Sequence, residues 1–151
     1  MNIEMRVINH ASPLCKDVVE LRNKILRCPL GMSLYDEDLT DEKHQFIVIA
    51  MIKQVVAACI LIKPLHEHQV QFRQMAVDSD FQRKGIGSML IRYAENFCLL
   101  NKYEQIELHA RKTAVTFYKN NGYEVAGEEF IEVGIPHFMM IKKIEKIENI
   151  Q

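Results

Sequence analysis

The chain has 151 residues, of which 48% are hydrophobic and 26% charged, and this is typical of one globular domain. Its formal net charge of −1 gives no overall attraction to nucleic acid or to an anionic membrane, so neither is expected as a partner. Four cysteines without a Cys-x-x-Cys pair predict reduced thiols of a cytoplasmic protein, not a zinc site or a disulfide framework. The first ten residues lack the apolar stretch of a signal peptide.

The first third of the chain predicts one strand followed by one helix. Residues 5–9 indicate a strand, and Ser12 and Pro13 then supply a helix cap and a preset first helical residue. Apolar residues recur at helical spacing over 14–28, and Gly31 follows as a stop signal. The sequence therefore favours a first helix that ends just before this glycine.

The middle of the chain predicts a loop and then three strands. Residues 30–43 form a loop or short helix that carries the acidic run Asp36–Glu42. The strands are expected at 44–51, 55–63 and 68–77. Lys53 and Gln54 interrupt the apolar stretch, and a charge there would be costly inside a bilayer. A tight turn between two buried strands is therefore predicted in place of a membrane span.

The last part of the chain predicts a long helix, a strand, a short helix and two strands. The long helix follows a pair of glycines, and its stripe is expected to bury Ile86, Met89, Leu90, Tyr93, Phe97 and Leu100, with Ser88, Arg92, Glu95 and Asn96 facing away. Residues 105–110 alternate as a strand, and a short helix then begins at a Thr113 cap and stops at Gly122. Strands at 124–131 and 137–144 complete an α/β domain around a mixed sheet.

The junction before the long helix indicates an anion site. The order strand, loop, helix start places unpaired backbone N–H groups and a partial positive charge beside Arg83 and Lys84. A Walker A loop needs GxxxxGK[ST], which is absent from the sequence, and a dinucleotide fingerprint needs a third glycine where Leu90 stands. Phosphate is the expected ligand class, although a plain strand-to-helix turn also fits a lone Gly-x-Gly.

Three segments together resemble the GNAT superfamily of acyl-CoA-dependent N-acyltransferases. The segment "QRKGIG" (82–87) resembles its Q/R-x-x-G-x-G/A signature, "MAVD" (75–78) the end of its fourth strand, and "AVTFYKNNGY" (114–123) its A-x-x-F-Y-x-x-x-G-F/Y segment. Residues 127–140, "GEEFIEVGIPHFMM", resemble the E-x-G-I-P-H-x-x-M ending of the ElaA-like branch. The resemblance implies one GNAT-like α/β domain over 1–151, with a mixed, mostly antiparallel sheet of six to seven strands flanked by helices.

The resemblance also implies acetyl-CoA as the cosubstrate, without a metal. Backbone groups of Met75 and Val77 are expected to bind the pantetheine arm, and one N–H to donate to the developing oxyanion. Gln82 occupies the signature position and is expected to bind the cofactor. The alternative is that its side chain only makes a hydrogen bond that shapes the loop. The expected phosphate ligands are Arg83, Lys84, Gly85, Gly87 and Ser88, with a solvated basic turn as the alternative for the two cations. Arg111 stands where the superfamily often has Asn, which weakens any expected side-chain contact to CoA at that position.

Acetyl transfer to an amine needs a neutral nitrogen, an oxyanion donor and a proton for the departing thiolate. The resemblance places Tyr118, protonated at neutral pH, beside the sulfur as the acid, with core packing as the alternative. His137, which follows a predicted tight turn, is the leading base, and Glu132 orients it or binds the amine. Three alternatives to His137 remain: Glu129, His109 and a water chain without a dedicated base. His109 is ranked first as a surface or groove-lining residue and only then as a base.

The sequence thus predicts an acetyl-CoA-dependent N-acetyltransferase acting on a primary amine of a small molecule or peptide. The acidic run Asp36–Glu42 lies where this fold builds the acceptor side, so it either attracts a cationic amine or is a solvated loop. The alternatives are a non-catalytic, regulatory acyl-CoA-binding module and, less favoured, an unrelated enzyme with a phosphate ligand. Exposed edge strands favour a homodimer.

Overall fold

The computed structural model describes residues 2–145, which fall into two compact units. The first unit takes in residues 2–63 and Arg73–Ala94, and the second takes in Pro64–Phe72 and residues 95–145. Among the described residues, no helix has both the length and the apolar character needed to cross a membrane.

Eight strands and three α-helices make up the regular structure. The strands are β1 (Ile3–Ile8), β2 (Phe46–Ile52), β3 (Val55–His66), β4 (Gln69–Val77), β5 (Gln105–Arg111), β6 (Glu124–Val125), β7 (Phe130–Glu132) and β8 (Ile135–Lys143). The helices are α1 (Cys15–Arg22), α2 (Ile86–Leu100) and α3 (Val115–Asn120). A π-helical turn at Asn23–Arg27 and 3-10 turns at Cys28–Leu30, Leu34–Asp36, Thr40–His44, Ser79–Phe81 and Lys112–Ala114 lie between them.

The strands form a mixed sheet in the order β1-β2-β3-β4-β5-β8-β6, with β7 also paired to β8. The pair β4–β5 is parallel, whereas β1–β2, β2–β3, β5–β8, β6–β8 and β7–β8 are antiparallel. The predicted fold class, a mixed and mostly antiparallel sheet with helices, is confirmed. The strand count is eight because the strand predicted at 124–131 is divided around Gly127, whose φ of 101° breaks the extended backbone.

The first unit contains the hairpin that the sequence predicted between two apolar runs. Lys53 and Gln54 have φ of 50° and 64°, and Ile52 pairs directly with Val55. Two consecutive positive φ angles are the geometry of a two-residue type I′ turn, which matches the twist of the flanking strands. The hairpin supplies much of a core that comprises Val18, Leu21, Ile47, Ile49, Val56, Cys59, Leu61 and Ala76.

Two carboxylates of the acidic run bind buried arginines. Arg22 is only 2% exposed and binds Glu42 through two hydrogen bonds of 2.8 and 2.7 Å. Arg27, 5% exposed, binds Glu37 at 2.6 and 3.3 Å. Such bidentate pairs fix both side chains. The expectation of a solvated loop or a substrate attractant is therefore wrong for these two carboxylates, which join the run to the helical segment before it.

The predicted buried stripe of α2 is confirmed for Ile86 and Leu90 but is wrong in its rotation about the helix axis. Its buried residues are Ile86, Leu90, Ile91, Ala94, Glu95 and Cys98. Met89, Tyr93 and Leu100, predicted to be buried, are 40%, 38% and 73% exposed. Apolar side chains occupy more than half of this helix's circumference, so periodicity alone allowed two stripes. Packing selected the one with the small residues, which also carries Glu95 into the interior.

Two predicted helix caps differ from the structure. The Ser12 hydroxyl accepts from Leu14 N at 3.2 Å, as a cap would, but α1 begins at Cys15, two residues after the predicted first helical residue, and the residue before it is Leu14. Thr113 lies inside a 3-10 turn, and the residue before α3 is Ala114, without a side-chain cap. The stop at Gly122 is confirmed by its φ of 92°.

The four cysteines are free thiols with very different exposure, and this predicts their reactivity. Burial raises the pKa of Cys59 and of Cys98 to about 12 and also raises that of the half-buried Cys15, whereas Cys28 is exposed. Because only the thiolate reacts, we expect one rapidly modified thiol, Cys28, in the native protein and four after unfolding. A thiol-specific disulfide reagent measures this, and Cys28→Ser should abolish the fast phase. Rapid native modification of Cys59 or Cys98 would contradict the burial described.

Candidate functional site

The glycine loop connects β4 to α2 and is fixed by hydrogen bonds at its start. Asp78 donates its N–H to Ala57 O at 2.8 Å, and its carboxylate accepts from Asp80 N at 3.1 Å. Gln82 Nε2 donates to Val77 O at 2.8 Å, which is the loop-shaping bond considered for that residue. The loop therefore folds back on the end of β4 before the helix begins.

Residues 82–85 are exposed and lead directly into the helix. Arg83 and Gly85 have φ of 64° and 77°, and Gly85 O accepts the helical bond from Met89 N at 3.1 Å. A Cβ on Gly85 would meet nothing within 4 Å, so the backbone conformation, not space, is what requires glycine there. Lys84 Nζ lies 5.9 Å from the centre of the Phe81 ring. The loop presents two cations at the positive end of a 15-residue helix.

Strand β4 is irregular just before this loop. Gln74 has φ of 55°, and its carbonyl oxygen accepts a weak bond from Cys59 Sγ at 3.6 Å. Ala76 is buried, while Met75 and Val77 on either side are partly exposed. Within the described chain, Gln74 Oε1 is buried without a hydrogen-bond partner. A buried acceptor of this kind is costly unless water or a ligand donates to it.

Tyr118 lies on α3 among other aromatic rings. Its ring meets Phe117 and Tyr123 edge-on, at centroid distances of 5.1 and 5.9 Å. Burial raises the pKa of Tyr118 to about 12, and the charge of Arg111 acts in the opposite direction. The hydroxyl is therefore protonated across the neutral range. The ring packing expected of a core residue and the retained proton needed by an acid are both present.

A buried polar network begins at Tyr123, the neighbour of Tyr118, and sequence patterns did not predict it. Tyr123 donates its hydroxyl to Glu95 Oε2 at 2.8 Å, and Lys142 Nζ binds both Glu95 oxygens at 3.1 and 3.0 Å. Burial, and then the Glu95 carboxylate, raise the pKa of Tyr123 far above its ordinary value. A Cβ on Gly122 would come within 3.1 Å of Lys142 Cε, so this glycine also makes room for the lysine. Helical spacing could have indicated that Glu95 is buried, because it follows buried Ile91 by four residues.

Two histidines share one carboxylate in the second unit. His109 Nδ1 lies 2.8 Å from Glu132 Oε1, and His137 Nε2 lies 3.8 Å from Glu132 Oε2. Phe130 contacts both imidazoles, edge-on to His109 at 5.1 Å and stacked on His137 at 5.9 Å. Strand pairing explains the cluster, because Phe130 is opposite His137, while His109 and His137 both lie on the adjacent pair β5–β8. His109, ranked from sequence as a surface or groove-lining residue ahead of a base, belongs to this group.

The remaining base candidate is elsewhere in its unit. Glu129 pairs with Lys112 at 3.0 Å, and both side chains are exposed. Over residues 2–145, no three His, Cys, Asp or Glu side chains are arranged to hold a metal ion. The predicted residues thus form three groups, namely the glycine loop with the end of β4, Tyr118 with its aromatic neighbours, and Glu132 with the two histidines.

Comparison with known families identifies the domain. Residues 30–144 match the model of the acetyltransferase (GNAT) domain family. YyaT of Bacillus subtilis (strain 168) is 27% identical over 52% of this chain and 53% of its own length. The N-acetyltransferase YjcF of the same organism is 32% identical over 70% of this chain and 74% of its own. The matched region spans about half the length of YyaT and of several other curated relatives.

Solved structures share the fold. A Lactobacillus plantarum protein assigned as an N-acetyltransferase has a TM-score of 0.81 at 23% identity, covering 92% of this chain and 97% of its own. Escherichia coli ElaA has a TM-score of 0.81 at 18% identity, covering 93% and 99%. A GNAT acetyltransferase of Elizabethkingia anophelis, solved with acetyl-CoA bound, has a TM-score of 0.71 at 17% identity, covering 95% and 99%. The resemblance to the superfamily is confirmed, with ElaA among its structural neighbours.

Proposed function

The chain belongs to the GNAT acetyltransferases, and from this premise we propose that it transfers an acetyl group from acetyl-CoA to a primary amine of a small molecule or peptide. We propose that residues 1–151 act together as one N-acetyltransferase domain. The observation that carries the proposal is the exposed cationic loop 82–85 at the start of α2, directly after the irregular end of β4. The acetyl-CoA bound to the related Elizabethkingia protein supports the same cosubstrate.

The coenzyme is proposed to lie along the end of β4 and the loop. Backbone groups of Met75 and Val77 meet the pantetheine arm, and Gln82 holds the loop in the observed shape. The diphosphate is bound by Arg83 and Lys84 and by the backbone at Gly85, Gly87 and Ser88. The physical reason is that first-turn amides and the helix dipole favour an anion, and the two side chains add full charges.

The proposed chemistry is direct attack of the amine on the thioester. The ammonium first loses a proton, because only the neutral nitrogen has a lone pair to donate and a lysine-like amine has a pKa near 10.4. The nitrogen then forms a bond to the acetyl carbon, the carbon–sulfur bond breaks, and the nitrogen loses a second proton. The departing sulfur gains one proton, which leaves an amide and the free thiol of CoA.

Tyr118 is proposed to give hydrogen-bond support and a proton to the departing sulfur. Its pKa of about 12 keeps the hydroxyl protonated at neutral pH, so it can donate a hydrogen bond to the sulfur as negative charge develops there. Glu132 and His137 are proposed to lie beside the group that takes the nitrogen's proton. His137 is 3% exposed and donates Nδ1–H to Ile135 O at 2.9 Å. We therefore propose that it supports Glu132 and does not contact the acceptor amine.

The cationic loop gives the first test of this function. We expect the double variant Arg83→Ala/Lys84→Ala to bind CoA about 10²- to 10⁴-fold more weakly, since each of the two charged hydrogen bonds contributes about 1.5–3 kcal/mol and 1.4 kcal/mol is tenfold. Isothermal titration at two salt concentrations measures the loss and its screening. Lys53→Ala, in the exposed hairpin turn, is the matched control and should bind as the wild type does. Equal affinity in the double variant would remove this loop from the coenzyme site.

Ligand class and turnover are tested separately. Thermal shift with CoA, acetyl-CoA, ATP and NAD should show stabilisation by the first two, because binding to the folded state raises the melting temperature. Thiol release is then followed with spermidine, glucosamine and Nα-acetyl-lysine methylamide, using a Cys28→Ser background. CoA binding without turnover would favour the regulatory binding module, in which Tyr118 only packs against Phe117 and Tyr123. Stabilisation by ATP alone would indicate a different phosphate ligand.

A further inference from the structure

The contact with Glu132 indicates which nitrogen of His109 carries a proton. An ionised carboxylate only accepts hydrogen bonds, so His109 Nδ1, 2.8 Å from Glu132 Oε1, must be the donor. In neutral His109 the other nitrogen, Nε2, then holds a lone pair. Gln71 Nε2 lies 3.5 Å from it, which is the distance of a weak bond from the amide to that lone pair.

The same reasoning removes His137 as the group that meets a substrate. Its Nδ1–H is directed at Ile135 O at 2.9 Å, and its Nε2 faces Glu132 Oε2 at 3.8 Å. Both nitrogens are thus directed at protein atoms, and the side chain is 4% exposed. His109 has 28% of its side chain exposed and directs only Nδ1 at a strong acceptor. Of the two imidazoles, only His109 combines an available lone pair with access.

We propose that His109 is the general base of the acetyl transfer, oriented by Glu132. This inference rests on the proposed function. Nε2 of His109 takes the proton from the acceptor ammonium, which becomes a neutral amine, and the imidazolium that forms is stabilised by the Glu132 carboxylate. The proton later passes to solvent. The carboxylate–imidazole pair fixes the tautomer and the ring orientation, as in other enzymes that use a histidine base.

The surroundings of His109 fit a base that changes charge during turnover. Glu132 on β7 is the facing anion, and His137 on β8 is the second titratable group of the cluster. On its own strand, Glu107 and Arg111 share its face, and Glu107 is engaged by Gln69 at 2.8 Å. On β4, the uncharged Gln71 contacts His109 at 3.5 Å. The long Gln71 contact can be exchanged for an amine at small cost, since a 3.5 Å bond is weak.

The kinetic test uses the shape of the pH profile. With spermidine, glucosamine or Nα-acetyl-lysine methylamide, whichever is turned over fastest, wild-type kcat/KM should reach a plateau near neutral pH. His109→Gln should be about 10²-fold slower at neutral pH and lack the plateau, its rate rising tenfold per pH unit toward the pKa of the amine. The deficit then shrinks at alkaline pH, because only the neutral amine reacts. A merely structural residue would lower the rate by the same factor at every pH.

The matched control is His68→Gln. His68 also lies near a glutamate, Glu104 at 4.0 Å, but its side chain is 58% exposed and it is outside the cluster. This variant should keep the wild-type profile. CoA affinity should be unchanged in both variants. A His109→Gln profile equal to that of the wild type would overturn the assignment of the base while leaving the transferase intact, whereas a wild type without CoA binding would overturn the proposed function itself.

A second readout needs no acceptor. Long-range ¹H–¹⁵N NMR spectra of histidine-labelled protein, with His109→Gln for assignment, report which ring nitrogen carries the proton. Neutral His109 should be the Nδ1–H tautomer, unlike free histidine in water, and Glu132→Ala should shift it toward the Nε2–H form. An Nε2–H tautomer in the wild type would overturn the proposal, because the nitrogen offered to the amine would then hold no lone pair.

Discussion

Tyr118→Phe is expected to lower kcat by about 10²-fold or more at neutral pH while leaving the Kd for CoA unchanged. General acid catalysis by a positioned side chain typically contributes 10²–10⁴-fold, and phenylalanine keeps the ring contacts with Phe117 and Tyr123 while removing only the hydroxyl. Steady-state kinetics with acetyl-CoA, together with titration of CoA, separate the two effects. Tyr93→Phe, which removes a hydroxyl from an exposed ring on α2, is the control and should leave kcat unaltered.

The same variant has a second readout in the pH dependence of stability. The ordinary tyrosine pKa is 10.0, and burial raises it to about 12 in the folded protein. Between these two values the folded state holds a proton that the unfolded state has lost, so the free energy of unfolding falls as pH rises from about 10 to about 12. Tyr118→Phe should remove part of this fall. If kcat is also unaltered in this variant, Tyr118 serves only in packing, and the binding module becomes the better description.

Glu95→Ala is expected to lower the free energy of unfolding by about 3 kcal/mol. The change leaves the Tyr123 hydroxyl without its acceptor and removes the carboxylate from Lys142, and the loss of one partner of a buried pair typically costs 3–5 kcal/mol. We place the effect at the lower end because the Lys142 side chain is 26% exposed and also donates to Asn121 O at 2.9 Å. Urea unfolding measures it as a lower midpoint with an unchanged slope.

The control for this network is Asn96→Ala on the same helix. Asn96 is exposed, so its replacement should change stability by no more than about 0.5 kcal/mol. Glu95→Gln should fall between the two, since its amide oxygen still accepts from Tyr123 while the charge opposite Lys142 is lost. In a double-mutant cycle, Glu95→Ala and Tyr123→Phe should not be additive, because they remove the same hydrogen bond. Additive effects would show that the two side chains are energetically independent.

The buried network also bears on the proposed catalytic group. Tyr123 packs edge-on against Tyr118, and its hydroxyl is held by Glu95, which is held in turn by Lys142. A side chain fixed in this way cannot turn away from its neighbour without breaking a buried bond. The network therefore limits the positions available to the Tyr118 ring.

The parts of the protein that the sequence predicted are those built from consecutive residues. The turn at Lys53-Gln54 followed from two apolar runs separated by polar residues, and the stop at Gly122 from the left-handed conformation that glycine adopts readily. The glycine loop was predicted in the same way, because the strand end, the loop and the helix start follow one another in one continuous segment. Local backbone preferences and short-range hydrogen bonds are sufficient to specify such features.

Tertiary structure alone decided which side chains from distant segments meet. Glu95 and Lys142 are 47 residues apart and His109 and Glu132 are 23 apart, so their contacts depend on strand pairing and on how α2 is rotated. Helical periodicity left two stripes of α2 open. The sequence ranked His109 as a surface or groove-lining residue ahead of a base, because its partner lies on another strand. The physical reason is that packing and the pairing of buried charges are properties of the assembled sheet, whereas propensity acts only over neighbouring residues.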